Sequence, residues 1–264
     1  NRRELAILNM VRKGVLGEIV HAECGYEHDL REVKFASGGE GLWRIDHSVT
    51  RNGNLYPTHG LGPIAQCMDI NRGDQFDYLV SMSSPSRGLQ EFAAKRFGAD
   101  DPRATRKYRC GDVNSTLIKT KKGLTILVKH DCNLPRPYDR INMVQGTKGI
   151  TRANPDQVHF DGKGHEWEPL ENYYEEYDHP LWKAMEDKFP GFGHGGMDYI
   201  EDYRMIRALR KGIKQDMDVY DAAAWSCLVE CTQQSVTHGS RPVDVPDFTR
   251  GQWKTRPRLE LDFS

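Results

Sequence analysis

The sequence predicts an α+β domain whose mainly antiparallel sheet is covered by helices on one face. Its strand-like segments are grouped as hairpins in the middle of the chain, and long helical patterns follow them. Repeated strand–helix–strand units, which would indicate a parallel sheet, are not visible. The 264 residues are 38% hydrophobic and include 25 glycines. This composition is typical of a packed globular domain.

Charge and apolar content exclude two classes of partner. The 37 basic and 38 acidic side chains leave a formal charge of −1, whereas proteins that bind nucleic acid or membrane surfaces carry a basic excess. No apolar run approaches the ~18 residues of a membrane span. The six cysteines are too sparse for a disulfide scaffold. Two of them, Cys227 and Cys231, are expected to share one helix face as small hydrophobic residues.

The first elements are predicted in chain order as a helix, a strand, a long loop and a second helix. The first helix ends at the pair Lys13–Gly14 and shows no N-terminal cap, so we expect the natural protein to continue upstream. A strand follows over 17–24. The glycine-rich residues 25–58 predict long loops, which are commonly functional. Pro63 then begins a helix, because its missing N–H costs nothing in a first turn.

The remaining pattern is strand-rich and then helical. Gly123 marks a hairpin turn, because glycine adopts positive φ easily. Asp221 fits the first turn of a C-terminal helix. Residues 1–240 are predicted to form one substrate-binding or catalytic domain, and 241–264 a C-terminal extension. We predict strands over 76–82, 113–120, 124–130, 140–145, 149–152 and 158–160, and helices over 89–97, 198–211 and 219–237.

Two glycine motifs superficially match a dinucleotide-binding turn. Residues 191–196 read G-x-G-x-x-G, and residues 60–65 are a near match. The dinucleotide motif needs a strand directly before it, so that a helix N-terminus is aimed at the pyrophosphate. Neither segment has such a strand. The sequence therefore predicts no cofactor-binding residues in this chain.

The densest group of polar and aromatic residues lies between Trp43 and Pro63. Within it, Tyr56 and His59 suit general acid–base chemistry, because imidazole titrates nearest neutral pH and the phenol carries an exchangeable proton. Pro57 stiffens the segment, and Gly60 is expected to permit a sharp turn that presents these side chains. The alternative is a loop whose polar residues merely cap the helix beginning at Pro63.

Other residues are weaker candidates on spacing alone. Tyr138 follows a stiff Pro–Arg–Pro segment, and its ring suits contact with the apolar face of a sugar; a structural aromatic is the alternative. Tyr26 and His194 are further possible members of a pocket. The histidines and cysteine at 21, 24 and 28 lack a firm fourth ligand for a metal, so no metal site is predicted.

Four segments together resemble glycoside hydrolase family 109. They are residues 4–14, 25–31, 51–60 and 194–199, and the Tyr–Pro–Thr–His stretch at 56–59 is the most specific. The family contains NAD-dependent α-N-acetylgalactosaminidases within the wider Gfo/Idh/MocA oxidoreductase group. The resemblance implies an N-terminal Rossmann domain followed by an α+β substrate domain with a large open sheet. This chain resembles the second part, so NAD would be bound mainly by a domain absent from it.

The resemblance also implies a redox-assisted elimination on a hexosaminide such as an α-N-acetylgalactosaminide. The sugar is oxidised at C3, a base removes the C2 proton, the C1 substituent leaves, water adds and the ketone is reduced. By matching position, Tyr56 and His59 would be the acid–base pair, with their separate roles undecided. Substrate contacts would come from Tyr26, Arg44, Pro57, Thr58, Tyr138 and, more weakly, His194.

Two other functions remain open at this level. A related sugar oxidoreductase would oxidise or reduce without cleaving a glycoside, and a non-catalytic domain would bind carbohydrate or mediate oligomerisation. An open sheet in such a domain also predicts a homo-oligomer formed through the sheet face. The compartment, cytoplasmic or periplasmic, is not assigned by these residues.

Overall fold

A nine-stranded sheet dominates the computed structural model, which describes residues 1–188, 193–259 and 261. Its strands are β1 (Ile19–Glu27), β2 (Phe76–Ser83), β3 (Val113–Thr120), β4 (Thr125–Asp131), β5 (Met143–Gly146), β6 (Gly149–Arg152), β7 (Gln157–Phe160), β8 (Glu168–Pro169) and β9 (Val243–Asp244). They lie in the order β8-β7-β6-β5-β1-β4-β3-β2-β9. The β1–β4 pair is parallel and the other described pairs are antiparallel. The predicted mainly antiparallel α+β fold is confirmed.

The helices differ greatly in length, and the longest lies late in the described chain. They are α1 (Arg2–Arg12), α2 (Arg31–Lys34), α3 (Gly41–Thr50), α4 (Thr58–Cys67), α5 (Gly88–Phe97), α6 (Pro102–Thr105), α7 (Tyr174–Tyr177), α8 (Pro180–Met185), α9 (Met197–Lys211), α10 (Val219–Ser226) and α11 (Leu228–Thr237). Among the described residues, no helix has the length and apolar character needed to cross a membrane.

The main core lies between one face of the sheet and five helices, α1, α4, α7, α10 and α11. On β4, Ile126 and Val128 point into this core, whereas Leu127 between them is only partly buried. From α4, Leu61 and Ile64 are fully buried against the sheet. Each such side chain contributes roughly 1.5–3 kcal/mol through removal from water. This arrangement confirms helices on one face.

The opposite face of the sheet is open and partly apolar. Tyr78 and Met82 of β2 are 38% and 64% exposed, and Leu117 of β3 is 50% exposed. These side chains share a face, because Val80 of β2 lies opposite Leu117 and side chains alternate along a strand. Leu127 continues the patch on β4, opposite Leu117. We call these five residues the open-face patch.

The prediction of long loops over residues 25–58 was wrong in part. This stretch contains the end of β1 and the helices α2 and α3. The helix predicted from Pro63 begins five residues earlier, at Thr58, so Pro63 lies inside it. Because proline has no N–H, the carbonyl of His59, four residues before it, loses its usual intrahelical donor. Pro63 therefore does not mark the start of α4, although its residue type predicted that it would.

Two details at other helices also differ from expectation. The first helix is capped: Asn1 accepts a hydrogen bond from the Glu4 backbone nitrogen, and the Glu4 side chain completes a capping box. The helix predicted over 219–237 is two helices that meet at Cys227. Cys227 and Cys231 are free thiols in this region, with Cys231 buried.

Residues after 240 remain in contact with the sheet. Strand β9 pairs with β2 at the sheet edge, and Val245 joins the main core. Further along, the carbonyl of Trp253 accepts a hydrogen bond from the Gly73 nitrogen at 2.7 Å. The division of the chain at residue 240 stays a prediction.

Candidate functional site

The N-terminal end of α4 is held directly against β1. A Cβ on Gly60 would lie 2.5 Å from both the nitrogen and the carbonyl oxygen of Gly25, so only glycine fits there. Gly60 has no positive φ, so the sequence-based expectation of a sharp turn was wrong. The glycine instead permits close packing of helix on strand. This contact brings His59 to the carboxyl end of β1.

The segment before α4 is anchored on α11. The side-chain oxygen of Asn54 accepts a hydrogen bond from the Tyr56 backbone nitrogen at 3.2 Å. The backbone nitrogen of Asn54 donates to Thr232 Oγ1 at 3.0 Å. Pro57 is the N-cap of α4, and no side chain caps the first turn. The interpretation of this segment as a loop whose polar residues cap the helix was therefore wrong. Thr58, partly buried, opens the helix instead.

Three rings meet at this point. The ring centroids of Tyr26 and Tyr56 are 4.6 Å apart, those of Tyr26 and His59 5.1 Å, and those of Tyr56 and His59 4.8 Å. Tyr26 is 6% exposed and forms the buried base, whereas Tyr56 and His59 are partly exposed. The predicted acid–base pair therefore lies together at the molecular surface. Its catalytic role stays a prediction.

Arg44 of α3 lies over one of these rings, that of Tyr56. Its guanidinium carbon is 5.0 Å from the ring centroid of Tyr56 and 4.3 Å from that of Trp43. The residue is 7% exposed, and its Nε donates to Glu40 at 2.7 Å. Cation–π contacts of this kind hold a guanidinium in a defined orientation. Its positive charge is thereby directed toward the site.

Tyr138 forms the opposite rim. It is 44% exposed, and its ring centroid lies 6.2 Å from that of Tyr26 and 5.1 Å from that of His28. The Arg140 guanidinium carbon lies 5.7 Å from the Tyr138 ring centroid, and Arg140 Nε donates to the phenol oxygen. Arg140 Nη1 also donates to Glu4 Oε1 at 3.3 Å. An exposed aromatic ring fixed in this way suits contact with a sugar face.

His194 lies at the edge of the group. Its side chain is 74% exposed and its Nδ1 is 2.9 Å from Asp198 Oδ2 at the start of α9. It still acts electrostatically on the site, because it lowers the pKa of His59. The glycine motif at 191–196 begins with residues 191 and 192, which lie outside the described residues.

The surroundings of His59 favour the neutral form of its imidazole. Burial lowers the pKa of His59 below its usual 6.5, and the charges of Arg140 and Arg44 lower it further, with Glu4 opposing them. The N-terminus of α4 adds to this effect, since the positive end of a helix disfavours a cation. Burial likewise raises the pKa of Tyr26 to about 12. A neutral imidazole is thus available as a proton acceptor beside protonated Tyr26.

A layer of buried polar side chains lies beneath Arg44. Lys34 is 4% exposed and its Nζ donates to Asn133 Oδ1 at 2.5 Å; burial lowers its pKa. His130 lies opposite Tyr26 in the β1–β4 pair, and burial lowers its pKa to about 3. His130 is therefore neutral, which limits the number of charges buried under the site.

Sequence reasoning missed several neighbours of the site. His28 was considered only as a metal ligand, and Arg140, Glu4 and Lys34 were not singled out as site residues. His28 packs on Tyr26 and Tyr138, Arg140 and Glu4 act on His59, and Lys34 lies near Arg44. A signal existed only for Arg140, which stands two residues after Tyr138. Glu4 and Arg140 are 136 residues apart in the chain, and only the fold brings them together.

Elsewhere in the described residues the structure holds a groove but no cluster of metal ligands. No group of three or more His, Cys, Asp or Glu side chains there is placed to hold a metal ion. A groove of about 390 Å³ lies between the end of α9 and residues 256–259. It contains Arg72, Arg204 and Arg256, which pair with Asp221, Asp216 and Asp218. None of the predicted site residues lines this groove.

Comparison with known proteins places the chain in a family. The model of the glycosyl hydrolase 109 C-terminal domain matches residues 1–255. The chain belongs to glycosyl hydrolase family 109. A family 109 protein of Solibacter usitatus (strain Ellin6076) is 50% identical over 255 residues, and one of Shewanella sp. (strain W3-18-1) is 50% identical over 262. Each match covers 96% of this chain but only 58% and 57% of the relative.

The fold of this family 109 chain is also found in solved dehydrogenases. A levoglucosan dehydrogenase in complex with NADH and L-sorbose matches with a TM-score of 0.67 and 21% identity, over 94% of this chain and 65% of that one. An inositol dehydrogenase homologue from Azotobacter vinelandii, complexed with NAD⁺, matches with a TM-score of 0.58 and 20% identity, over 91% and 62%. The family 109 chain therefore shares its fold with one part of these longer oxidoreductases.

Proposed function

We propose that this chain is the substrate-binding and proton-transfer part of a glycoside hydrolase that cleaves a hexosaminide, such as an α-N-acetylgalactosaminide, by oxidation, elimination, addition and reduction. The observation that carries the proposal is the contact of a neutral His59 with the Tyr56 ring beneath the Arg44 guanidinium. A carboxylate pair, which ordinary glycosidases use, is not needed for this chemistry. Family membership supports a glycoside as the substrate.

His59 is the proposed base. Once the sugar carries a ketone, the proton on the neighbouring carbon becomes acidic, and a neutral imidazole accepts it. The electron pair left on that carbon forms a double bond as the glycosidic bond breaks, and the aglycone oxygen departs with the bonding pair. Tyr56, 4.8 Å from the imidazole centroid to centroid, is placed to donate a proton in the same region.

Arg44 and Tyr138 are proposed to hold the sugar. Arg44 presents a charge of fixed orientation, which stabilises negative charge that develops on a sugar oxygen. Tyr138 offers an exposed ring to the apolar face of the sugar, and buried Tyr26 supports Tyr56 and His59 from below. Thr58 and Pro57 are proposed to orient Tyr56 and His59 toward the sugar. His194 is proposed to border the sugar at the edge of the site.

The glycine motif at 60–65 does not fit the dinucleotide. The near-match glycine motif at 60–65 lies inside α4, and Gly60 is packed on Gly25, so this segment cannot receive a pyrophosphate. We assign NAD to the part of the protein outside this chain, since the curated relatives are much longer. When bound, NAD supplies the transient oxidation of the sugar. The residues described here bind, orient and move protons.

Hydrogen exchange at the sugar tests the proposal directly. We expect the full-length protein, supplied with NAD and a 4-nitrophenyl hexosaminide in deuterium oxide, to release the aglycone and place deuterium at C2 of the sugar. Mass spectrometry and NMR of the product measure this. Cleavage without deuterium at C2 would show an ordinary hydrolytic mechanism instead.

A sugar dehydrogenase is the second candidate, because the matched solved structures are dehydrogenases of the same fold. The same assay separates the two. Net formation of NADH, read at its absorbance, with an intact glycosidic bond would favour the dehydrogenase. Sugar binding with neither reaction would favour a non-catalytic domain.

We also propose that the open-face patch joins two copies of this protein. Exposed contiguous apolar surface marks an interface, and the face carries both Glu23 and Lys129, so a two-fold pairing can match opposite charges.

We expect Leu117→Lys to convert a dimer to a monomer in light scattering, with no loss of fold by circular dichroism. The matched control Leu42→Lys changes a 61% exposed leucine on α3 and should leave the dimer intact. A monomeric unmodified protein would refute the pairing.

A further inference from the structure

Arg140 and Glu4, whose charges both act on His59, are 136 residues apart in the chain and form an ion pair beside Gly25 of β1. The nitrogen of Gly25 donates to the carbonyl of Arg140 at 2.9 Å, and Gly60, next to His59, packs on the same glycine. Arg140 and His59 therefore flank one residue of β1. Glu4, in the first turn of α1, reaches the Arg140 guanidinium from the other side.

Arg140 is fixed by two partners. Its Nε donates to the Tyr138 phenol and its Nη1 to Glu4 Oε1, with side-chain exposures of 16% for Arg140 and 12% for Glu4. Glu4 is itself fixed, because its other oxygen lies 3.3 Å from the Asn1 nitrogen in the capping box. Such limited exposure preserves electrostatic effects that solvent would screen at the surface.

We propose that Arg140 is a positioning residue which holds the Tyr138 ring at the rim of the site and, with Glu4 as its counter-charge, sets the charge environment of His59. This inference rests on the proposed role of His59 as base. Neither Arg140 nor Glu4 takes part in proton transfer. Their effect on the reaction passes through the imidazole and through the orientation of Tyr138.

The two charges act on His59 in opposite directions. Arg140 lowers the pKa of His59 and Glu4 raises it. A base works in its neutral form, so kcat/KM falls as the pH drops through its pKa. The titratable or charged groups facing His59 from the elements around it are Glu4, Tyr26, Arg44, Tyr56, Arg140 and His194.

Two charge-removing variants of the full-length protein should therefore shift the acid limb of the pH profile, the fall of kcat/KM at low pH, in opposite directions. Arg140→Gln removes a cation, so the limb moves to higher pH and kcat/KM on the acid side falls by a factor of about three to ten. Glu4→Gln moves the limb to lower pH, and glutamine still completes a capping box. The double variant should return the limb close to its original position.

Conservative variants separate charge from orientation. Arg140→Lys keeps the positive charge but loses the planar fork that reaches both Tyr138 and Glu4. We expect it to leave the acid limb in place while raising KM. Arg3→Gln is the matched control on α1, because Arg3 pairs with Asp156 instead, and it should change neither the limb nor KM.

An NMR titration of the His59 ring keeps this inference separable from the proposed function. Oppositely shifted titration midpoints in R140Q and E4Q would support the charge balance. If these midpoints shift but the kinetic limb does not, the charge balance stands and His59 is not the base. Unshifted midpoints in both folded variants, or shifts in the same direction, overturn the inference.

Discussion

Replacing His59 with alanine in the full-length protein should lower kcat by about 10²–10⁴-fold, the usual contribution of a positioned general base. The imidazole is partly exposed and lies outside the main hydrophobic core, so its removal should leave the melting temperature nearly unchanged. Steady-state kinetics and thermal unfolding measure the two effects. Deuterium incorporation at C2 of the sugar should fall together with kcat.

The matched control is His165→Ala, an exposed histidine in a turn distant in sequence from the site. It should leave kcat and the melting temperature unchanged. Tyr56→Phe is informative beside it, because it keeps the ring packed on Tyr26 and removes only the hydroxyl. A folded His59→Ala protein with unaltered kcat would remove the imidazole from the mechanism.

Removing Asp221 should produce the largest loss of stability, about 3–5 kcal/mol in the free energy of unfolding. Asp221 is 1% exposed and accepts two hydrogen bonds from Arg72, at 2.7 and 2.6 Å, and a third from Asn71. Asp221→Ala leaves the Arg72 guanidinium buried without its main counter-charge. It also removes one half of the capping box that begins α10.

Denaturant unfolding of the full-length protein measures this loss. The control pair is Arg96 and Glu32, whose side chains are 49% and 63% exposed; Glu32→Gln should cost at most about 1 kcal/mol. Replacing both buried partners, with Arg72→Met and Asp221→Leu, should recover part of the loss, because no uncompensated charge remains. A cost for Asp221→Ala no larger than for Glu32→Gln would contradict the assigned role of the buried pair.

The sheet was predictable because its pattern is local. On β3 and β4, alternation of core-facing and solvent-facing side chains, together with the turn at Gly123, identified the hairpin directly. The parallel pairing of β1 with β4 was not predictable in the same way. It joins segments about a hundred residues apart, and no local sequence pattern indicates which distant strand will pair with β1.

Helix boundaries failed where tertiary contacts outweighed local signals. Pro63 is a usual first-turn residue, yet α4 begins earlier, because Gly60 allows that segment to pack on Gly25. No proline or glycine marks the break between α10 and α11 at Cys227. Packing against the sheet decides such boundaries, and propensity is only a weak guide to them.

The sequence by itself determined the family, the fold class and the short segment that carries Tyr56 and His59, since these depend on residue types at close spacing. The tertiary structure alone decided that Tyr26, Arg44 and Tyr138 surround that pair, and that Glu4 and Arg140 oppose each other beside it. The protonation of His59 depends on burial and on charges from distant parts of the chain. Electrostatic interactions act through space, and the order of residues along the chain does not state which of them become neighbours.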